Sequence, residues 1–332
     1  MKRRDFIAGA IFIPATSRLS AQPIAKGRRL AIFSLSESAT LMNEHSENRY
    51  YRALFAELRR LGHIVGENLT VEPFGREKNT SGAAALVAEV VQSQPDVIYV
   101  VGFGALLFKR ETATIPIVAL TGDPIAQGLI QNLARPGGNI TGVSVDTGPS
   151  IHGKRIALLQ EVFPALSKMA YLTVRPLWEV IQGPAVRAAS EATGIPVISL
   201  LLDIPASDAG YRAAIPRASQ DGANAIMVGD SPDALGNRGL IEDLIRQTRL
   251  PAMYPFREFV EIGGLIAYAF DLVDLNKRVA NDINAILRGA NPGEIPYYQN
   301  SKFDLSINLK TARSLGLKVP ETILASADEV IE

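Results

Sequence analysis

Val97-Ile98-Tyr99-Val100-Val101-Gly102-Phe103-Gly104 is the stretch from which the fold is read. A short run of β-branched and aromatic residues stopping at a glycine turn has the character of a buried strand. The 105–112 stretch that follows has helical spacing. Similar short runs at 69–71 and 117–120 flank it, with a further helical stretch over 83–92. This alternation is the βαβ pattern of a parallel sheet. Towards the N-terminus, 30–33 reads as another strand. Tyr51, Leu54, Phe55, Leu58 and Leu61 then share one face of a helix that stops at Gly62. Towards the C-terminus, the turn-rich Arg135-Pro136-Gly137-Gly138-Asn139 interrupts the pattern. Strands are expected again at 140–145, 170–174, 197–201, 225–228 and 252–254, with helices over 155–162, 185–192, 211–218 and 240–249. A strand over 265–270, a helix over 275–287 and a strand over 303–307 complete the chain. The fold class expected is α/β, with two Rossmann-like lobes carrying parallel sheets.

Two lobes also suit the length, since 332 residues exceed the ~250–300 at which single cores stop growing. Lysine plus arginine equals aspartate plus glutamate at 34 each, and the basic residues are scattered, so a nucleic-acid partner is not expected. Cysteine is absent, which removes disulfides, thiolate metal sites and a Cys nucleophile. His45, His63 and His152 share no metal-ligand spacing, and neither a Gly-x-Ser-x-Gly elbow nor a phosphate loop occurs. No enzyme activity, cofactor or metal is therefore expected. The rival enzyme reading uses Gly102-Phe103-Gly104 as a dinucleotide turn, with Asp123 about twenty residues on. Leu107 occupies its third glycine position, which disfavours it.

Lys2-Arg3-Arg4 before an apolar stretch from Phe6 to Ile13, with small residues up to Ala21, has the plan of a secretory signal over 1–21. Arg3-Arg4-Asp5-Phe6-Ile7 also fits the twin-arginine pattern. Cleavage and a periplasmic location are expected.

In open parallel sheets, ligands bind beyond the carboxyl ends of the strands. Thr121-Gly122-Asp123-Pro124 and Gly229-Asp230-Ser231-Pro232 end strands in the two halves in a similar way, and would face one another across a cleft. The candidate ligand-binding residues at such ends are Ser34, Ser36, Glu37, Phe103, Gly104, Thr121, Asp123, Arg175, Trp178, Asp230, Ser231, Phe270 and Asp271. Tyr254, Phe256 and Arg257 occupy comparable positions. Hydroxyls and helix N-termini suit a carboxylate, an aspartate suits an ammonium, and aromatic rings supply apolar area.

Leu133-Ala134-Arg135-Pro136-Gly137-Gly138-Asn139-Ile140-Thr141-Gly142-Val143-Ser144 and Phe303-Asp304-Leu305-Ser306-Ile307-Asn308-Leu309-Lys310-Thr311-Ala312 resemble the ABC transporter substrate-binding protein family that includes tryptophan-binding members. That resemblance spans essentially the whole chain. It implies a type I periplasmic binding protein fold with a ligand cleft between lobes. Three crossover segments are placed near 143–146, 267–271 and 299–303. The N-terminal lobe would comprise 28–144 plus 271–300, and the C-terminal lobe 145–270 plus 301–332. Cleft loops would fall at 34–38, 102–105, 121–125, 175–178, 229–232 and 270–271. Arg175-Pro176-Leu177-Trp178 and Tyr268-Ala269-Phe270 depart from the family pattern by adding bulk or charge. The function implied is that of the periplasmic component of an ABC importer, binding a small carboxylate ligand by hinge closure. An inner-membrane ABC permease would be its partner, and the protein would be a monomer. A ligand sensor feeding a receptor is the other binding-protein reading.

Overall fold

In the computed structural model, which describes residues 27–102, 104–145, 150–204 and 206–332, the chain forms two sheets. In chain order the strands are β1 (Arg28–Ser34), β2 (Leu69–Phe74), β3 (Val97–Val101), β4 (Ile117–Thr121), β5 (Ile140–Ser144), β6 (Met169–Val174), β7 (Val197–Leu202), β8 (Ala225–Val228), β9 (Ala252–Tyr254), β10 (Ile266–Ala269), β11 (Tyr298–Gln299), β12 (Asp304–Asn308) and β13 (Glu329–Ile331). The first sheet has the order β11-β5-β4-β3-β1-β2 and is parallel throughout. The second, β13-β12-β10-β9-β8-β6-β7, is parallel except where β10 meets β12. The chain thus leaves the first sheet after β5, returns after β10, and leaves again between β11 and β12.

Both faces of the first sheet are covered, which explains the unbroken apolar run of β1. Leu30 and Ile32 join Leu54 and Leu58 of helix α1 (Arg49–Arg60). Ala31 and Phe33 join Leu86 and Val90 of α2 (Ala83–Gln92) and Phe108 of α3 (Gly104–Glu111) on the other side. A parallel strand between two helical layers has no solvent face, so alternation gives way to continuous hydrophobicity. Helix α1 begins where the Asn48 side chain accepts the Tyr50 N–H.

The two specific runs read in the sequence are structural devices. Asn139 Nδ2 donates to the carbonyls of Thr112 and Ile115, pinning the start of β5 to the chain entering β4. Asn308 caps the helix Leu309–Ser314 through the Thr311 N–H and donates to the Val260 carbonyl, while Thr311 Oγ1 donates to the Gly263 carbonyl. These bonds tie β12 to the loop ahead of β10.

Several expectations need correction. The 175–178 segment is not a loop: Arg175–Leu177 begins a helical stretch that runs through a π-turn at Trp178–Gln182 into the helix Gly183–Thr193. Pro184 lacks the N–H that would bond four residues back. The Gly183 N–H instead reaches the Trp178 carbonyl five residues back. A Cβ at position 183 would stand 2.3 Å from that carbonyl oxygen, so the wide turn requires glycine. Strands β11 and β13 escaped the sequence reading because two or three residues are too few to show a period. The signal sequence expected over 1–21 lies outside the described residues.

The helix Leu272–Leu287 buries Asp282, whose Oδ2 has no hydrogen-bond partner and whose Oδ1 stands 3.8 Å from Arg278. Burial pushes this carboxyl up to about 7 against the opposing pull of Arg278. A folded-state value above the unfolded one means stability is fullest below about pH 4 and falls as pH rises towards 7. Asp282→Asn is therefore expected to raise the unfolding free energy at pH 8 by roughly 2–4 kcal/mol, at about 1.4 kcal/mol per unit. Near pH 4 it should change stability little. Urea titrations of both proteins at the two pH values check this, and equal differences at both would refute it.

Candidate ligand-binding cleft

The carboxyl ends of the strands in the two sheets face each other, and the space between them is a cavity of about 110 Å³. One water needs ~10–15 Å³ on the same measure, so the space suits a small organic molecule. From the first lobe come Glu37 beyond β1, Tyr50 and Tyr51 of α1, Tyr99 and Gly102 of β3 and its turn, Thr121 at the end of β4 and Gln127 beyond it. The second lobe contributes Leu177, Ile181, Gln182, Asp230, Ser231, Pro232 and Phe256. His152 of helix α4 (Ser150–Val162), Phe270, Leu272 and Asn276 line the side where the chain crosses between lobes.

Most polar side chains in this wall are held by neighbours. Thr121 Oγ1 donates to Gln127 Oε1 at 2.9 Å, and Tyr99 Oη donates to Asn276 Oδ1 at 2.9 Å. The π-turn carries Gln182 into the wall, where Nε2 donates to the Asp230 carbonyl and Oε1 accepts from Thr173. Asp230 receives both Nη atoms of Arg155, at 2.7 and 2.9 Å, and Arg155 Nε donates to the Tyr268 carbonyl. Arg155 is fully buried behind the wall. A bidentate pair of this kind fixes the Asp230 carboxylate in direction as well as charge.

Two buried polar atoms at the cavity lack a close hydrogen-bond partner among the described residues, His152 Nδ1 and Tyr50 Oη, and the Arg49 guanidinium stands beside the latter. Burial first, then Arg155, lowers the His152 pKa to about 4, so the ring is neutral near pH 7 and Nδ1 or its proton is open to a ligand. Burial likewise raises Tyr50 to about 12, keeping its phenol protonated. Unpaired buried polar groups are costly and point to a missing partner. The partly exposed Glu37 accepts from Tyr51 Oη at 2.6 Å and weakly from Asn48. Burial raises its pKa, the Tyr51 bond opposing.

Contacts across the mouth join the lobes. Arg49 at the start of α1 binds Glu258 and, at 3.0 Å, Glu261 on the helix Arg257–Glu261 of the second lobe. Gly102 and Gly122 approach Pro232 and Ile181 closely enough that a Cβ at either would meet them at 3.2 Å.

Among the residues expected at the site, Glu37, Thr121, Asp230, Ser231 and Phe270 line the cavity, as does Phe256. Others do different work. Ser34 Oγ accepts the N–H groups of Ser36 and Glu37, so it shapes the turn that presents Glu37, and Ser36 itself is not in the lining. Gly104 is buried against the Phe33 ring. Asp123 Oδ1 accepts the N–H groups of Ile125 and Ala126 in a local turn, and Asp123 is not among the lining residues. Arg175 lies half-exposed beside Asp203, because the helical stretch points it outwards. Trp178 packs on Tyr171 and beneath Arg187 rather than in the cavity. Asp271 caps the helix Leu272–Leu287. Phe103 lies outside the described residues. The sequence reading missed Tyr50, Tyr99, Gln127, His152, Gln182 and Asn276 as lining residues, and Arg155 behind them. Tyr51 was read only as core. The one available signal was the buried tyrosine itself, whose hydroxyl needs a polar partner.

Two lobes with three crossings and a cavity between them define a bilobal solute-binding protein of the type I periplasmic fold. Residues 40–331 match the family model described as ABC transporter substrate binding protein, and the chain belongs to that family. It is 19% identical over 286 residues to a tyrosine-binding protein of Clostridioides difficile, covering 84% of this chain and 79% of that one. A solved conserved domain protein from Vibrio cholerae superposes with a TM-score of 0.81 at 23% identity, covering 92% of this chain and 100% of that one. An ABC domain in complex with L-Trp from Streptococcus pneumoniae gives 0.80 at 22%, with the same coverage. Among the described residues no helix is long and apolar enough to cross a membrane.

Proposed function

We propose that this chain is the exported receptor of an ABC importer, capturing a small aromatic ligand by hinge closure and presenting it to an inner-membrane permease. The single observation that supports the reading best is the inter-lobe cavity with His152 Nδ1 unpartnered in its wall among the described residues. A ligand bound there touches both lobes and so stabilises their closed arrangement over an open one, which is the differential interaction closure requires. The aromatic side chains Tyr50, Tyr51, Tyr99, Phe256 and Phe270 favour a ring in the ligand, in keeping with the tyrosine and tryptophan of the relatives. Arg175, one of the groups the sequence offered to the polar end of a ligand, is turned to the surface beside Asp203. Export by the 1–21 signal and a periplasmic location belong to the same proposal.

A thermal-shift screen of aromatic amino acids, amines and nicotinamide cofactors, followed by small-angle scattering on any hit, tests it. A ligand at 100 times its Kd adds about 2.7 kcal/mol, readily seen as a raised Tm. Stabilisation by an aromatic compound together with compaction is the expected result. Stabilisation by nicotinamide cofactors alone, or no compaction with any hit, would overturn it.

A further inference from the structure

Charge in the cleft is unbalanced. Among the described lining residues there is no lysine or arginine, whereas Glu37 and Asp230 are both there. Arg155 answers Asp230 through two hydrogen bonds. Glu37 has only the Tyr51 hydroxyl and the Asn48 amide. Asp233, on the short helix Pro232–Gly236 of the opposite lobe, has no ion-pair partner among the described residues, accepts the Ala206 N–H, and adds to the rise in the Glu37 pKa. His152 adds no charge near neutral pH, since burial and Arg155 keep it unprotonated. Bringing the lobes together therefore buries the Glu37 carboxylate with no ion-pair partner among the described residues, a cost that a cation held beside it relieves.

The wall beside Glu37 is aromatic. Tyr51 and Tyr99 are buried there, and the Tyr50 hydroxyl stands beside the Arg49 guanidinium. Aromatic faces attract an organic cation, and a carboxylate flanked by such rings is a common arrangement for an ammonium group. A carboxylate on the ligand would meet Glu37 with no lysine or arginine among the described lining residues to hold it.

From the proposed transport role, on which this step rests, we infer that the cleft selects an organic cation: an amine on an aromatic body, its ammonium against Glu37, with no acid group required. Discrimination comes from the missing countercharge. A ligand bearing a carboxylate brings a further anion next to Glu37, whereas an amine of the same shape neutralises it.

Three compounds with one ring test this: tyramine, tyrosine and 4-hydroxyphenylacetate, titrated calorimetrically into the intact mature protein. Tyramine is expected to bind at least tenfold tighter than tyrosine, and the acid not measurably. Glu37→Gln should weaken tyramine at least tenfold while leaving the far-ultraviolet circular dichroism of the free protein unchanged. Tyrosine or the acid binding as tightly as tyramine would overturn the inference, as would undiminished tyramine binding by a folded Glu37→Gln. If that variant does not fold, the comparison of three compounds on the wild type still decides. Binding of none of the three also overturns it. Compaction with some other aromatic ligand would then leave the transport reading standing, and absence of compaction with every compound would remove both.

Discussion

Asp230→Ala is expected to lower the unfolding free energy by about 3–5 kcal/mol, the range seen when one partner of a buried ion pair is removed. The cause lies behind the cavity wall. Arg155 is fully buried, and its two Nη atoms are spent on Asp230. Truncating the aspartate removes the carboxylate that faces both Nη atoms of a guanidinium in the protein interior. It also loosens the backbone carbonyl on which Gln182 is anchored. Arg155→Met combined with Asp230→Ala removes both charges and should recover much of the loss, because an apolar pair does not carry the desolvation cost of a buried ion. Urea midpoints of the two proteins measure it. A double variant no better than the single one would show that packing, and not charge, sets the penalty.

The second large effect concerns a glycine in the most specific run of the sequence. Gly142 lies in β5, and a Cβ there would stand 2.0 Å from the Ala119 carbonyl oxygen and 2.6 Å from its nitrogen, both main-chain atoms of β4. No side-chain rotation relieves a clash with backbone, so Gly142→Ala must part the β4–β5 ladder, at a cost of roughly 3 kcal/mol or more. Gly137, five residues earlier, makes the comparison. Its φ of +69° favours glycine, yet nothing lies within 4 Å of a Cβ there, so Gly137→Ala is expected to cost only ~1–2 kcal/mol. Equal losses at the two positions, read from thermal or urea unfolding, would contradict the steric account.

Those two glycines show how much of the fold can be read along the chain. Arg135-Pro136-Gly137-Gly138-Asn139 marks a turn because positive φ is a local property of glycine. That Gly142 is needed for close strand passage is not local, because Ala119 arrives from another βα unit. The strands of both lobes were legible for a similar reason. Runs such as Leu30-Ala31-Ile32-Phe33 and Val97-Ile98-Tyr99-Val100-Val101 are apolar on consecutive positions, and a strand covered on both faces demands that pattern wherever it sits.

The site was legible in part. Glu37, Thr121, Asp230, Ser231 and Phe270 follow strands, and the rule that ligands collect at the carboxyl ends of parallel strands finds them without coordinates. The same rule misplaced Arg175, Trp178 and Asp123, since it says which end of the sheet a residue occupies but not where its side chain turns. Arg175 and Trp178 were redirected by a helical stretch that starts directly after β6, and Asp123 was absorbed by its own turn. His152, Gln182 and Asn276 sit on helices, where the rule does not look. Arg155 resembles any charged helix residue until the fold carries Asp230 to it.

What this sequence determined by itself is the alternation of strands and helices, the division into two sheets, and the family to which the chain belongs. All of these are written in local periodicity and in short runs whose demands are met by near neighbours. Tertiary structure alone decided which charges remain unanswered in the cleft. Electrostatic pairing depends on distance through space, and residues such as Arg155 and Asp230, or Glu37 and Asp233, are separated along the chain by whole units of the fold.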